Sequence, residues 1–355
     1  MSSSDSFSQK SQSSDEKIQG KRKNKTKSTT NKNAKTHGIP DVTDITDELP
    51  LLNHERINRT CAPGRRKYLK EKLPERADIC LTDQDIQLII HMYNNSKDRR
   101  DTEKISFEKG NPRQETDALM KLHDRLGTSG IGHEHEWLEL PFLMDSRVQA
   151  HLKKTAFKPE LPQSWKMNPY EWLSNLEIEA VMSQYELTHP DFAFIGVFPM
   201  DFSTILDDGK CVSVEMCNID LQRLWLMGKT HLGMIFNTDK HYESGSHWVA
   251  CYVDMMPDSP NYGMSYYDSA LNPVPSEISK LHKSLVKQRS DQFPFRTNSV
   301  QKQFKNTECG IFSMFFLVCC ISRRFAFKDI CNYMGRDEEI HELRKVFFRD
   351  NDDSI

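Results

Sequence analysis

Cys309 stands in the stretch Gln303-Phe-Lys-Asn-Thr-Glu-Cys-Gly310, directly ahead of the apolar run Ile311 to Ile321. A cysteine placed where a loop turns into a buried helix sits over free backbone N–H groups and the positive end of the helix dipole, a setting that favours thiolate over thiol. His247 opens the alternating stretch His247-Trp-Val-Ala-Cys-Tyr-Val253, and Asp268 follows a second one, Met264 to Tyr267. A thiol nucleophile needs a base within reach, a third group to orient that base, and donors for the developing oxyanion. In that division Cys309 is the nucleophile, His247 the base and acid, and Asp268 the orienter. Gln303, with the backbone N–H of Cys309, supplies the oxyanion donors. Each residue alone has a plainer reading: a small buried cysteine, a structural histidine, a turn-forming aspartate. Their conjunction points to a cysteine hydrolase.

The elements that must position these residues can be read from periodicity. Phe192–Val197 and Leu232–Phe236 have the texture of buried strands, and His247–Val253 alternates with period two. Met264–Tyr267 continues as its partner across a Pro/Asn/Gly turn, and Phe295–Val300 adds another strand. The spacing predicts a helix over Tyr170 to Leu187 with Leu173, Leu176, Ala180 and Val181 inward, and a helix capped by Ser276. The run Gly310–Ile321 is apolar all round, so it must be a helix buried on every side. The fold class is therefore α+β: a mixed, largely antiparallel central sheet packed against a buried helix led by the cysteine.

Composition divides the rest. Residues 1–45 are rich in Ser, Lys, Asn and Thr and read as a disordered basic tail; Met1 to Pro40 holds nine Lys/Arg against three Asp/Glu. Such a tail suits nucleic acid or an acidic partner, or serves only to solubilise. Residues 46–159 read as a helical accessory domain. Thr82-Asp-Gln-Asp85 opens one helix, and a second runs from Gln114 through Leu119, Leu122 and Leu126 towards Gly127. Residues 160–355 form the catalytic domain.

Several function classes are set aside. No apolar run reaches the roughly 18 residues of a membrane span, and no secretory signal follows Met1, so neither membrane nor export is expected. Nine cysteines without C-x-x-C spacing indicate neither a disulfide framework nor a zinc site, and suit a reducing compartment. His133-Glu-His135-Glu lacks metalloprotease spacing and reads as solvated loop, while Gly228-Lys-Thr230 lacks the first glycine of a phosphate loop. No metal or organic cofactor is implied.

The motifs Gly245-Ser-His-Trp248, Tyr266-Tyr-Asp-Ser269 and Gln303-x5-Cys309-Gly310 resemble, in order and spacing, the cysteine peptidase clan of the SUMO-specific proteases and the adenovirus protease. Glu308 stands where that family places an acidic residue before the cysteine. The resemblance covers about residues 165–335. It implies that Trp248 and Trp172 (in Trp172-Leu173) wall a narrow tunnel over a Gly-Gly substrate, although Trp172 equally suits a core position on an amphipathic helix. Where the SUMO proteases carry an Asp that contacts the modifier, this chain has Asn175. The wider wording from Ile235 to Val249 is similar to the virion-maturation proteases of large cytoplasmic DNA viruses, of African swine fever virus and poxvirus type. That resemblance implies cleavage of viral structural precursors after Gly-Gly or Ala-Gly, in the virion and host cytoplasm. The alternative is a deconjugating protease acting on SUMO- or ubiquitin-like conjugates, cytoplasmic or nuclear. An acetyltransferase with the same triad, and a non-catalytic scaffold, are more distant readings.

Overall fold

The structure, a computed structural model, describes residues 60–65, 80–96, 104–106, 112–127 and 134–350. The basic tail of residues 1–45 lies outside the described residues.

Five strands form one sheet in the order β1-β2-β3-β4-β5: β1 (Phe192–Pro199), β2 (His231–Asn237), β3 (Trp248–Asp254), β4 (Gly263–Tyr267) and β5 (Phe295–Thr297). The sheet is mixed. The two central pairings, β2 with β3 and β3 with β4, are antiparallel, while both outer ones are parallel. Short loops join the antiparallel neighbours, whereas the parallel pairs need longer crossovers through intervening helices.

Eleven helices are named here in chain order. α1 (Asp83–Asn94), α2 (Pro112–Gly127) and α3 (Arg147–Thr155) precede the sheet, and α4 (Asn175–Thr188) leads into β1. α5 (Val214–Cys217) and α6 (Leu221–Leu226) lie between β1 and β2, and α7 (Ser276–Val286) between β4 and β5. α8 (Cys309–Ile321), α9 (Phe327–Tyr333), α10 (Asp337–Glu342) and α11 (Arg344–Phe347) follow the sheet.

Every residue of α8 is buried, as its unbroken apolar sequence requires. Alternation along β3 sorts its side chains between two cores. Ala250 and Tyr252 join α8, Ile235 and Tyr267 on one face, while Val249, Cys251 and Val253 meet Leu232, Met264, Ile278 and Leu285 on the other. The strand is therefore covered on both faces, which fixes its register tightly.

The helices ahead of the sheet have their own core, from Cys61 to Phe157, including Ile86, Ile89, Leu119, Leu122 and Trp137. Thr82 caps α1 in a capping box with Asp85, as its sequence indicates. Gln184 of α4 donates to the Phe157 carbonyl at 2.7 Å, and Arg349 Nε to the Lys158 carbonyl at 3.1 Å, tying that helical core to the sheet region.

Four expectations are corrected. Trp172 and Leu173 precede α4, and Leu176 (67% exposed) and Ala180 face solvent; Val181 is buried as expected, joined by Ile178, Met182 and Tyr185, and Leu173 is buried ahead of the helix. Starting the helix at Asn175 instead of Tyr170 changes which residues share its inner face. Ser276 does not cap α7: Pro275 stands at that position without a side-chain cap. His135 is buried among the helical core, so it is not a solvated loop residue. Finally, Cys61–Cys80 and Cys211–Cys217 are disulfide-paired, with Cα atoms 5.2 and 6.5 Å apart. Pairing depends on this spatial approach, which cysteine spacing does not reveal.

Candidate active site

The turn between β2 and β3 delivers His247. Asn237 Oδ1 accepts the N–H groups of Asp239 and Ser246, Ser246 Oγ donates to Asp239 at 2.6 Å, and the His247 carbonyl accepts the Thr238 N–H at 2.9 Å. Gly245 takes φ +87°, where a side chain would be strained and would strike the Asn237 amide. Immediately before β3, the ring of His247 places Nε2 2.6 Å from Asp268 Oδ1.

Asp268 is held from every side. Its Oδ1 also accepts the Ala270 N–H at 2.8 Å, and Oδ2 accepts the Asn272 N–H at 3.0 Å. Leu271 adopts φ +61° in the turn that brings these amides round, an uncommon conformation for a branched residue. Asn298, just past β5, grips the Asp268 backbone in both directions, accepting from its N–H at 3.0 Å and donating to its carbonyl at 2.7 Å. The carboxylate is buried, and burial opposes its charge. The bond to His247, the imidazolium charge and the Ala270 and Asn272 contacts outweigh that and lower its pKa.

Cys309 is the first residue of α8 and is 2% exposed. With Nε2 of His247 occupied by Asp268, Nδ1 remains for the sulfur. Burial works against protonation of His247, but the hydrogen bond to Asp268 and interaction with Cys309 prevail and raise its pKa from 6.5 to about 9. At neutral pH the ring is an imidazolium between the Asp268 carboxylate and the Cys309 sulfur. That arrangement can stabilise a thiolate and later hand a proton to a leaving group.

Gln303 is buried, with its Oε1 accepting from Ser269 Oγ at 2.6 Å and its N–H donating to the Ser269 carbonyl at 2.9 Å. Trp248 is half-buried, and its Nε1 donates to the Leu173 carbonyl at 2.9 Å. Trp172, directly before Leu173, is 44% exposed, so it is not a core aromatic. A Cβ on Gly310 would come within 3.3 Å of both Leu173 and Trp248, which places the tryptophan-bearing segments against the first turn of α8.

Behind this front, the sequence marked Glu308 but not the residues that hold it. Glu308 is buried and bonds His341 Nδ1 and Arg344 Nε, both at 2.9 Å. Arg344 lies over the Trp165 ring at 4.1 Å and donates to the Glu171 carbonyl at 2.8 Å. The two carbonyls flanking Trp172 are therefore held by the neighbour of His247 and by a residue bonded to the neighbour of Cys309. No local pattern marks Asn298, His341 or Arg344, because each acts across 30 or more positions.

Residues 209–353 match the Ulp1 protease family, C-terminal catalytic domain. A putative thiol protease of Acanthamoeba polyphaga mimivirus is 30% identical over 187 residues, 50% of this chain and 57% of that protein. The chain thus spans a little over half the length of that curated relative. A SUMO-1 cysteine protease of African swine fever virus is 25% identical over 210 residues, 55% of this chain and 73% of that protein. The crystal structure of an African swine fever virus protease superposes with a TM-score of 0.52 at 18% identity, over 82% of this chain and 96% of that one. At that identity the likeness is one of fold, and it reaches beyond residues 209–353.

Proposed function

We propose, from the match of residues 209–353 to the Ulp1 protease family, that the protein is a cysteine endopeptidase with Cys309, His247, Asp268 and Gln303 as its catalytic residues. The observation that carries the reading is the 2.6 Å bond from Asp268 to the His247 ring, whose interaction with Cys309 at the head of α8 helps to hold it protonated. The Cys309 thiolate attacks the scissile carbonyl carbon, and the electron pair moves to oxygen. The Cys309 N–H and Gln303 Nε2 receive that oxyanion. The intermediate collapses to a thioester as His247 gives its proton to the departing amine. Water then attacks the thioester, the neutral His247 accepts its proton, and the carboxylic acid leaves with the Cys309 thiolate and His247 imidazolium restored. Asp268 keeps the ring oriented throughout and stabilises it in each step where it carries the proton.

The substrates proposed are viral structural precursors cut after small residues, Gly-Gly or Ala-Gly, in the virion and host cytoplasm. Trp172 and Trp248 support this reading, because flat aromatic walls beside the nucleophile favour residues without side chains. The viral origin of the relatives supports the setting. Deconjugation of a ubiquitin-like modifier is the second reading, favoured by the likeness to a SUMO-1 cysteine protease of African swine fever virus. Against it stands Asn175, exposed and uncharged at the start of α4.

Mass-spectrometric mapping of new protein ends in cells, wild type against Cys309→Ala, tests the proposal. Ends following Gly-Gly or Ala-Gly within precursors, absent with the variant, are expected. Release of intact modifiers with no precursor ends would overturn the maturation reading, and identical ends in both samples would overturn the enzyme itself. The basic tail is proposed to meet nucleic acid or an acidic partner.

A further inference from the structure

Ser269 follows Asp268 at the end of β4 and is 1% exposed. Its hydroxyl donates to Gln303 Oε1 at 2.6 Å, and its carbonyl accepts the N–H groups of Lys302 and Gln303 at 3.0 and 2.9 Å. Both ends of the serine therefore hold the residue proposed as oxyanion donor. Among the described residues Gln303 Nε2 makes no hydrogen bond, and it is not one of the sealed polar atoms.

A primary amide is a donor at one end and an acceptor at the other, and a half-turn exchanges them. An acceptor oxygen turned towards an oxyanion would repel it. A buried hydroxyl donating to Oε1 favours this setting, because in the flipped one the serine oxygen could accept an amide N–H but its own buried O–H would lose the acceptor it has here.

We propose that Ser269 is a positioning residue that fixes the Gln303 amide with Nε2 as its free end. Adjacent residues then serve two partners from one strand end: Asp268 orients the base, and Ser269 orients the oxyanion donor. This rests on the assignment of Gln303 as that donor, so the test separates the two.

The full-length protein is assayed with a fluorogenic Gly-Gly peptide and with the matching peptide aldehyde, whose adduct with Cys309 places an oxygen at the oxyanion position. Ser269→Ala, Gln303→Ala and the double variant are compared, with circular dichroism to confirm folding. Ser269→Ala is expected to lower kcat about ten-fold while KM stays within about two-fold, and to weaken aldehyde binding by a similar factor. The double variant is expected to fall no further than Gln303→Ala. A structural role alone would not move aldehyde affinity while sparing KM. If Ser269→Ala does not fold, Ser269→Cys, similar in size and a weaker donor, carries the same test with an intermediate loss. Unchanged kcat and aldehyde affinity in the serine variant, or losses that multiply in the double variant, overturn the positioning role while leaving Gln303 in place. An unaltered kcat in Gln303→Ala removes the donor assignment and the Ser269 proposal together.

Discussion

Strand β3 and helix α8 run between two histidine–carboxylate networks with opposite charge states. At one end, His247 meets Asp268 and Cys309 and is raised to about 9. At the other, His231 lies opposite Asp254 in the strand register, has Nε2 3.5 Å from Asp191, bonds the Tyr252 hydroxyl through Nδ1 at 2.7 Å, and is lowered to about 4. Burial penalises the charged ring at both ends. The difference lies in the third partner. Arg323, just past α8, donates to Asp254 from Nε at 3.0 Å and Nη2 at 3.2 Å, so the carboxylate there already has a permanent cation. At the His247 end no guanidinium among the described residues bonds the carboxylate, and His247 must supply the positive charge itself. A histidine beside an aspartate is thus a cation or a neutral spacer according to what else the aspartate holds.

The largest test of that contrast is Asp268→Asn, which keeps the shape and removes the charge. We expect kcat/KM to fall on the order of 10⁴-fold. In the wild type, activity that needs the imidazolium declines as pH rises through about 9, and in the variant that limb moves down towards 6.5. Because the folded pKa lies above the 6.5 reference, the stability His247 contributes is complete below 6.5 and is lost as pH rises through 9. Pre-steady-state rates and urea midpoints across pH 6 to 10 read both effects; a limb that stays put would break the contrast.

Next in size is Arg323→Met, which strands the Asp254 carboxylate. A loss of about 3 kcal/mol in urea unfolding is expected, together with a His231 pKa above its present value of about 4 by NMR titration. The alkaline limb of kcat/KM should not move, and a shift there would show that the two networks are electrically joined. The smallest effect is Tyr252→Phe. It removes one hydrogen bond to His231 and a longer one of 3.4 Å to Asp254, and should cost about 1 kcal/mol of stability with kcat unchanged.

Local pattern accounts for much of the scaffold. The apolar run after Cys309 could only be a buried helix, and alternation in His247–Val253 marked a strand, because these periodicities follow from helix and strand geometry. Where two readings shared one stretch, packing chose. Leu176 and Ala180 have the composition of an inner face, yet Ser174 starts the helix late, with a capping box to Glu177, and turns them to solvent. Phe295–Val300 reads as one strand, but β5 stops at Thr297, and Asn298 leaves the ladder to hold Asp268.

The sequence alone determined which side chains have the chemistry for the site: a thiol ahead of a buried helix, an imidazole at a strand start, a carboxylate at a strand end, an amide six residues before the thiol. Only the tertiary structure decided their electrical state and their supports. Charge on His247 or its absence on His231, the grip of Asn298 and Ser269, and the Glu308–Arg344 link behind Trp172 depend on groups separated by 20 or more positions. Electrostatic and hydrogen-bond energies are set by distance and burial in space, which the order of residues along a chain does not contain.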